Sequence, residues 1–274
     1  MSILKMKANR IAVLTDFGTQ DAYVGLMKIV IDRIKPGAPV LDLTHEIPRG
    51  DIHWGAFTLM TSLRYFPEGT VVLAVIDPGV GSKRKGLCIQ AGPFWLVGPD
   101  NGLFSYVLRD YPAQAIYSLE NPGYFLERVS PTFHGRDIFA PVSAHLLNGV
   151  SPSDLGPALT EIVKLEWPEV KTQAHQMQGE VLFHDHFGNL ITNISREDME
   201  ACRNLKIGPH ENLNCSLQIN GHVLTEISST YSQSQAGQLL ALWGSSDFLE
   251  IAVNQGNAKN FLKAGKGTQI LLKP

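Results

Sequence analysis

The chain has 274 residues, 44% hydrophobic and 18% charged, enough for one large globular domain or two modest ones with sizeable cores. Its formal charge of −3 argues against a nucleic-acid-binding surface, and no stretch approaches the ~20 apolar residues that span a bilayer. Cys88, Cys202 and Cys215 are an odd number at scattered spacings without a CxxC pair, as expected of free thiols in a reducing cytoplasm.

The leader MSILKMKANR has basic residues but no apolar core, so no signal peptide is expected. RIAVLT (residues 10–15) reads as a strand ending at Asp16-Phe17-Gly18. Residues 20–34 have helical spacing closed by Pro36, and Asp21 is the expected cap. A second strand follows at 41–43, a helix at 53–65 and a buried strand at 70–76. Residues 87–90 and 94–97 read as a hairpin turning at Gly92-Pro93, with helices at 103–108 and 138–147. Strands alternating with helices predict an α/β domain with a mainly parallel sheet and helices on its faces.

The pattern changes near residue 165, where WPEVKTQAHQMQG (167–179) is polar and aperiodic. Beyond it, VLFHDHFGNLITNI, LQINGHVL, LLALWG, EIAV and QILLK read as short strands separated by turns, with Asn220-Gly221 a hairpin signal. This half is expected to be an antiparallel sheet or small barrel. The expected division is residues 1–168 and 177–274, with a linker at about 169–176.

Several common chemistries fail on the residues present. AVIDPGVGSKRKG (74–86) looks like a phosphate loop, yet Gly86 is followed by Leu87-Cys88 where a Walker sequence needs Lys and Ser/Thr. Gly79-Val80-Gly81 is followed by Arg84 where the dinucleotide fingerprint needs a third glycine. His184 and His186 would share a strand face, but no third ligand stands at a metal spacing, so a packed or solvated pair is expected. HExxH and GxSxG are absent as well.

Three polar clusters are expected at strand ends, where open α/β sheets place their sites. Asp16 suits either a vicinal diol such as a ribose or the cap of the following helix. Asp77 and Arg84 flank a proline–glycine turn tight enough for an ion pair, either a closing salt bridge or a fixed, ionised carboxylate. His134 lies in PTFHGRDIFAP, where Gly135 permits close approach of a ligand and Arg136-Asp137 cap or pair. Together Asp, Arg and His suit a site that holds and activates water. In the second half, Asp185 and Asn189 flank Phe187-Gly188, and Asn189 suits a nucleobase edge. Tyr231 and Trp243 are stacking surfaces or core. Gly244-Ser245-Ser246 offers groups to a carboxylate, and Glu250 either faces the same pocket or is solvated.

From IAVLTDFGTQDAYVG through THEIPRGD, VIDPGVGSKR, GPDNGL and TFHGRDIFAP to DHFGNLITNI, TYS and EIAVNQGNA, the chain resembles the S-adenosyl-L-methionine (SAM) hydroxide adenosyltransferases. These adenosine-forming SAM hydrolases are relatives of the fluorinating and chlorinating enzymes. The resemblance implies an N-terminal α/β sandwich and a C-terminal β-barrel-like domain. It also implies a homotrimer whose site lies between the N-terminal domain of one subunit and the C-terminal domain of its neighbour. By the same resemblance, Asp77, Arg84 and His134 match a water-activating triad and Asp16 a ribose ligand. Asp185 matches the group that receives the methionine ammonium, Asn189 an adenine contact, Tyr231 a stacking ring and Ser245 a carboxylate ligand. Ser246 stands where the halogenating relatives carry arginine, so the carboxylate ligand is where the pattern departs. SAM is then the substrate, adenosine and L-methionine the products, and no metal or redox cofactor is implied. A halide-transferring enzyme is the nearest alternative, but those relatives carry an uncharged residue where Asp77 stands, and a carboxylate there repels a halide. The other alternative is a SAM- or adenosine-binding sensor, which would have no use for Arg84 or His134.

Overall fold

A computed structural model describes residues 8–173, 176–204 and 216–273, so Cys215 lies outside the described residues. The chain divides into two compact units, Met1–Glu166 and Trp167–Pro274.

The first unit is built on a six-stranded sheet. In chain order its elements are β1 (Arg10–Thr15), α1 (Tyr23–Ile34), β2 (Val40–Thr44), α2 (Ile52–Leu63), β3 (Thr70–Val75), β4 (Gly86–Ala91) and β5 (Phe94–Pro99). α3 (Val107–Asp110), β6 (Ala113–Ser118), a π-helical turn (Gly135–Phe139) and α4 (Ala140–Leu147) follow. The strand order is β2-β1-β3-β5-β4-β6. β1 pairs in parallel with β2 and β3, and β3 with β5; β4 runs antiparallel to both β5 and β6.

The near-continuous apolar run of β3 follows from burial on both faces. Val71, Leu73 and Val75 face Met27, Ile31, Val142 and Ala144 of α1 and α4. The alternate residues Val72, Ala74 and Ile76 face Leu59 and Leu63 of α2. The period-2 alternation therefore reads helix on one side and helix on the other, the α/β sandwich expected from the sequence. Each buried Val, Leu, Ile or Met among them contributes about 1.5–3 kcal/mol by leaving water.

Sequence periodicity misses several details here. α1 begins at Tyr23 with Ala22 at its N-cap position and no side-chain cap, so Asp21 does not cap it. Helix between 103 and 108 is confined to α3, because Gly102 takes a left-handed φ of +92° and the turns after it delay the start. β6, AQAIYS, is an edge strand, exposed at its first two residues and half-buried over the next three, without a clean alternation.

The second unit holds β7 (Lys171–Gln173), β8 (Gln176–His184), β9 (Leu190–Ser195), α5 (Arg196–Asn204), β10 (Ser216–Ile219) and β11 (His222–Leu224). β12 (Leu239–Trp243), β13 (Phe248–Val253), α6 (Ala258–Leu262) and β14 (Gln269–Lys273) complete it. Its sheet runs β11-β10-β14-β8-β9-β13-β12, antiparallel throughout, with β7 paired to β8 inside the polar 167–179 segment. The two end strands, β11 and β12, approach each other, giving a nearly closed, barrel-like sheet. Asn220 (φ 44°) and Gly221 (φ 80°) form the two-residue turn that joins β10 to β11. Among the described residues, no helix is long and apolar enough to cross a membrane.

Candidate active site

In the first unit, β1 connects through α1 to β2 on one side, while the chain returns through α2 to β3 on the other. β1 and β3 therefore flank the point where the strand order reverses, the place where doubly wound sheets open a crevice beyond the strands' carboxyl ends. Thr15 pairs with Val75, so Asp16 and Asp77 leave neighbouring strands at nearly the same level.

Asp16 accepts a hydrogen bond from the Gly50 amide at 2.8 Å and caps no helix. Its own backbone is held on both sides. The Phe17 amide donates to Thr15 Oγ1, which is 2.9 Å from His45 Nδ1 in a buried pair, and the Gly18 amide donates to the His45 carbonyl. His45 and Gly50 lie in the THEIPRGD stretch, but nothing in their residue types or spacing marks them as supports of Asp16.

Asp77 and Arg84 form a forked ion pair. Arg84 Nε donates to Asp77 Oδ1 at 3.0 Å and Nη2 donates to Oδ2, with the side chains 10% and 5% exposed respectively. The 77–84 loop closes through the Val80 amide to the Asp77 carbonyl and the Ser82 amide to the Gly79 carbonyl. Gly81, at φ +76°, lies so close to Pro131 that a Cβ would stand 2.4 Å from its carbonyl oxygen. Only glycine permits this approach, which brings the loop against the segment leading to His134.

Arg84 Nη2 also lies 2.8 Å from His134 Nδ1. A guanidinium only donates, so Nδ1 is the acceptor and a neutral ring carries its proton on Nε2. Burial, reinforced by the Arg84 charge, holds the His134 imidazole below its ordinary range. The structure thus brings Asp77, Arg84 and His134 into one hydrogen-bonded group. His134, however, sits at the start of the π-helical turn, not at a strand end as expected. Gly135 follows it, with Met27, Phe17 and Phe133 at 3.4–3.5 Å from where a Cβ would stand. Arg136 pairs with the fully buried Asp137, which also accepts from the Ser130 amide, so this pair anchors the turn. Lys83 and Lys85 are exposed.

In the second unit, Asp185 and Asn189 form the tight turn between β8 and β9. Asp185 Oδ1 accepts from the amides of Phe187 and Asn189, each at 2.9 Å, and Oδ2 accepts from Asn189 Nδ2 at 3.0 Å. Gly188 is at φ +84°, and a Cβ there would stand 2.1 Å from Asn257 Nδ2. His184 ends β8 beside Lys259, its Nε2 at 3.0 Å from Nζ, while His186 lies in the turn. Among the described residues, no three His, Cys, Asp or Glu side chains are grouped to hold a metal ion.

Tyr231 is 40% exposed and donates its hydroxyl to Glu250 Oε1 at 2.5 Å. Glu250 is 6% exposed, so it is not a solvated surface group. Burial pushes its carboxyl up, against the lowering effect of the Tyr231 hydroxyl, and the charge of Asp185 adds to the rise. Burial and Glu250 likewise raise the Tyr231 phenol. Ser245 is exposed in the β12–β13 turn, next to Gly244, where a Cβ would meet Glu250 Oε2 at 2.8 Å. Trp243 packs with the core of its unit beneath the Arg196 guanidinium, 5.0 Å from the ring centre.

Residues 11–156 match the family model of the SAM hydroxide adenosyltransferase N-terminal domain, and residues 179–271 match that of the C-terminal domain. The chain is 36% identical over 266 residues to the (R)-S-adenosyl-L-methionine hydrolase of Thermus thermophilus, covering 94% of this chain and 97% of that protein. It is 28% identical over 256 residues to the fluorinase of an Actinoplanes species, covering 84% of each. Among solved structures, an uncharacterized conserved protein from Thermotoga maritima has a TM-score of 0.87 at 33% identity, covering 96% of this chain and 100% of that one.

Proposed function

The chain belongs to the SAM hydroxide adenosyltransferase family, and from that premise we propose that it hydrolyses SAM to adenosine and L-methionine, with Asp77, Arg84 and His134 handling the water. The observation that carries this reading is the single guanidinium of Arg84 donating to both the Asp77 carboxylate and His134 Nδ1, beyond the carboxyl end of β3.

The sulfonium of SAM makes C5′ of the ribose electrophilic, and the neutral thioether of methionine leaves with the C–S bond pair. The enzyme's task is to strip and aim one water for in-line attack. His134, neutral with its proton on Nε2, donates to the water oxygen. The free lone pairs of Asp77 take the proton as the C–O bond forms, and Arg84 balances the developing negative charge. One proton reaches solvent per turnover. With methionine as leaving group, the reaction needs neither metal nor redox cofactor.

Around this centre Asp16 holds the ribose diol, and Gly135 lets the backbone approach the substrate. Asp185 receives the methionine ammonium, Asn189 the adenine edge, Tyr231 the adenine face and Ser245 the carboxylate, with Glu250 lining the same pocket. These two sets of residues meet between the N-terminal unit of one protomer and the C-terminal unit of its neighbour in a homotrimer. The working location is the cytoplasm, consistent with the unpaired, buried thiols of Cys88 and Cys202.

The test is chromatography of SAM incubated with the protein, with and without chloride. Adenosine and methionine alone are expected in both. A 5′-chloro nucleoside would make the protein a halide transferase, and unchanged SAM would make it a sensor. Asp77→Ala is expected to abolish adenosine release while leaving adenosine binding measurable.

A further inference from the structure

The stretch GPDNGL has no part in the chemistry above, yet it holds both ends of the loop that carries Asp77 and Arg84. The paired register of β3 ends at Val75 against β1 and at Leu73 against β5. The next carbonyl, Ile76, lies beyond both ladders and directly precedes Asp77. Asn101 Nδ2 donates to it at 2.8 Å. The orientation of that amide is set by its other end, because Asn101 Oδ1 accepts from the Leu103 amide at 3.2 Å. One residue earlier, the Asp100 amide donates to the Lys85 carbonyl at 2.9 Å, immediately after Arg84. Two adjacent residues of one turn therefore clamp the carbonyls on either side of residues 77–84.

We propose that Asn101 is a positioning residue for SAM hydrolysis, acting through Asp77 and Arg84 by pinning the Ile76 carbonyl while the neighbouring Asp100 amide pins Lys85. This rests on the reading that Asp77 and Arg84 handle the attacking water. A loop containing Pro78, Gly79 and Gly81 has little ladder bonding of its own, so its ends decide where the carboxylate and guanidinium stand. Displacement of a catalytic group by about 1 Å costs on the order of 100-fold in rate.

The molecule supplies a matched control. Asn121 donates through Nδ2 to the Asp154 carbonyl at 2.7 Å and accepts at Oδ1 from the Gly123 amide at 3.0 Å, the same pair of bonds in a turn with no part in the site. Asn101→Asp and Asn121→Asp each keep the size and the turn acceptor and replace the amide donor with a carboxylate oxygen facing a carbonyl. The measurements are kcat and KM for adenosine release, amide exchange of the peptide spanning 77–85, and the thermal transition.

N101D is expected to lower kcat by about 10–100-fold with KM within about twofold of wild type, and to speed exchange in the loop. N121D is expected to shift the thermal transition with kcat unchanged. Unaltered loop exchange in N101D, a kcat within about twofold of wild type, or equal kcat losses in both variants would overturn the proposal. If N101D does not fold, Asn101→Ser carries the same expectations, since its hydroxyl still serves Leu103 but falls short of Ile76. A wild-type protein that leaves SAM intact would refute the hydrolase reading instead. The exchange arm would then decide by itself whether Asn101 holds the loop.

Discussion

Replacing Arg84 by methionine separates what the ion pair does for the fold from what it does for the chemistry. The pair is buried, its side chains 10% and 5% exposed, so the usual discount for solvent screening is small. Methionine keeps the packing of the arginine stem but strips Asp77 of the donors on both of its oxygens. Removing one partner of a buried pair costs about 3–5 kcal/mol. The contact of the guanidinium with the Phe139 ring, 5.2 Å from its centre, is lost too, at a further ~1 kcal/mol. The thioether's own contact with that ring returns part of this, leaving a net loss of about 3–5 kcal/mol. At roughly 2–4 °C per kcal/mol, the transition of the first unit should fall by about 6–20 °C. The Asp77→Asn/Arg84→Met double variant removes the stranded charge and should recover at least half of that loss, yet release no adenosine. Scanning calorimetry with a parallel adenosine assay reads both effects. A single variant that melts within about 2 °C of wild type, or a double variant that falls as far as the single, would show that the stranded carboxylate is not what destabilises the protein.

Because His134 is held below its ordinary ~6.5, it stays neutral until the pH falls beneath that value. The acid limb of kcat/KM should therefore lie below pH ~6.5, and His134→Asn, which keeps an acceptor for Arg84, should flatten that limb along with lowering the rate. Glu250 has a raised folded-state carboxyl, so its contribution to stability is fully present below the ordinary ~4.5 and is lost as pH rises through the folded value. Glu250→Gln retains an acceptor for Tyr231, and its melting temperature relative to wild type should increase as the pH rises above ~4.5; a difference that stays flat from pH ~4 to ~8 would show that Glu250 carries no such penalty. Gly188→Ala should destabilise the second unit by about 2–4 kcal/mol, combining a left-handed backbone with displacement of the Asn257 cap; a shift under ~1 kcal/mol in a denaturant titration would contradict it.

What the sequence revealed about the first unit followed from burial on two faces. β1 and β3 are continuous apolar runs stopped by an aspartate, so both the strands and their acidic ends were legible. The loop chemistry of Pro78 and the glycines also foretold that Arg84 folds back on Asp77. Elements without an apolar period were not legible: the edge strand β6, the polar helix α5 and the π-helical turn, whose geometry no local spacing announces. Glu250 was ambiguous because strand alternation only says that it shares a face with Ala252. Its burial comes from cross-strand neighbours Leu242 and Ile191 and from Tyr231, contacts set by register and not by local sequence. His45, Gly50 and Asn101 act through carbonyls, amides and a buried hydroxyl, and backbone partners leave no residue-type signature.

Thr15 of β1 pairs directly with Val75 of β3. Asp16 and Asp77 issue from adjacent strands, which sit about 4.8 Å apart by the dimensions of any β-ladder. The spacing between the proposed diol ligand and the proposed water-handling carboxylate is thus inherited from main-chain pairing, while selection of the attacking group falls to Asp77 itself, to Arg84 at the end of the loop and to His134. In the proposed site, sugar holding and nucleophile handling are thus separable, and the side chain at position 77, together with the loop that returns Arg84 to it, is the natural place to introduce a different nucleophile while the β1–β3 ladder stays as it is.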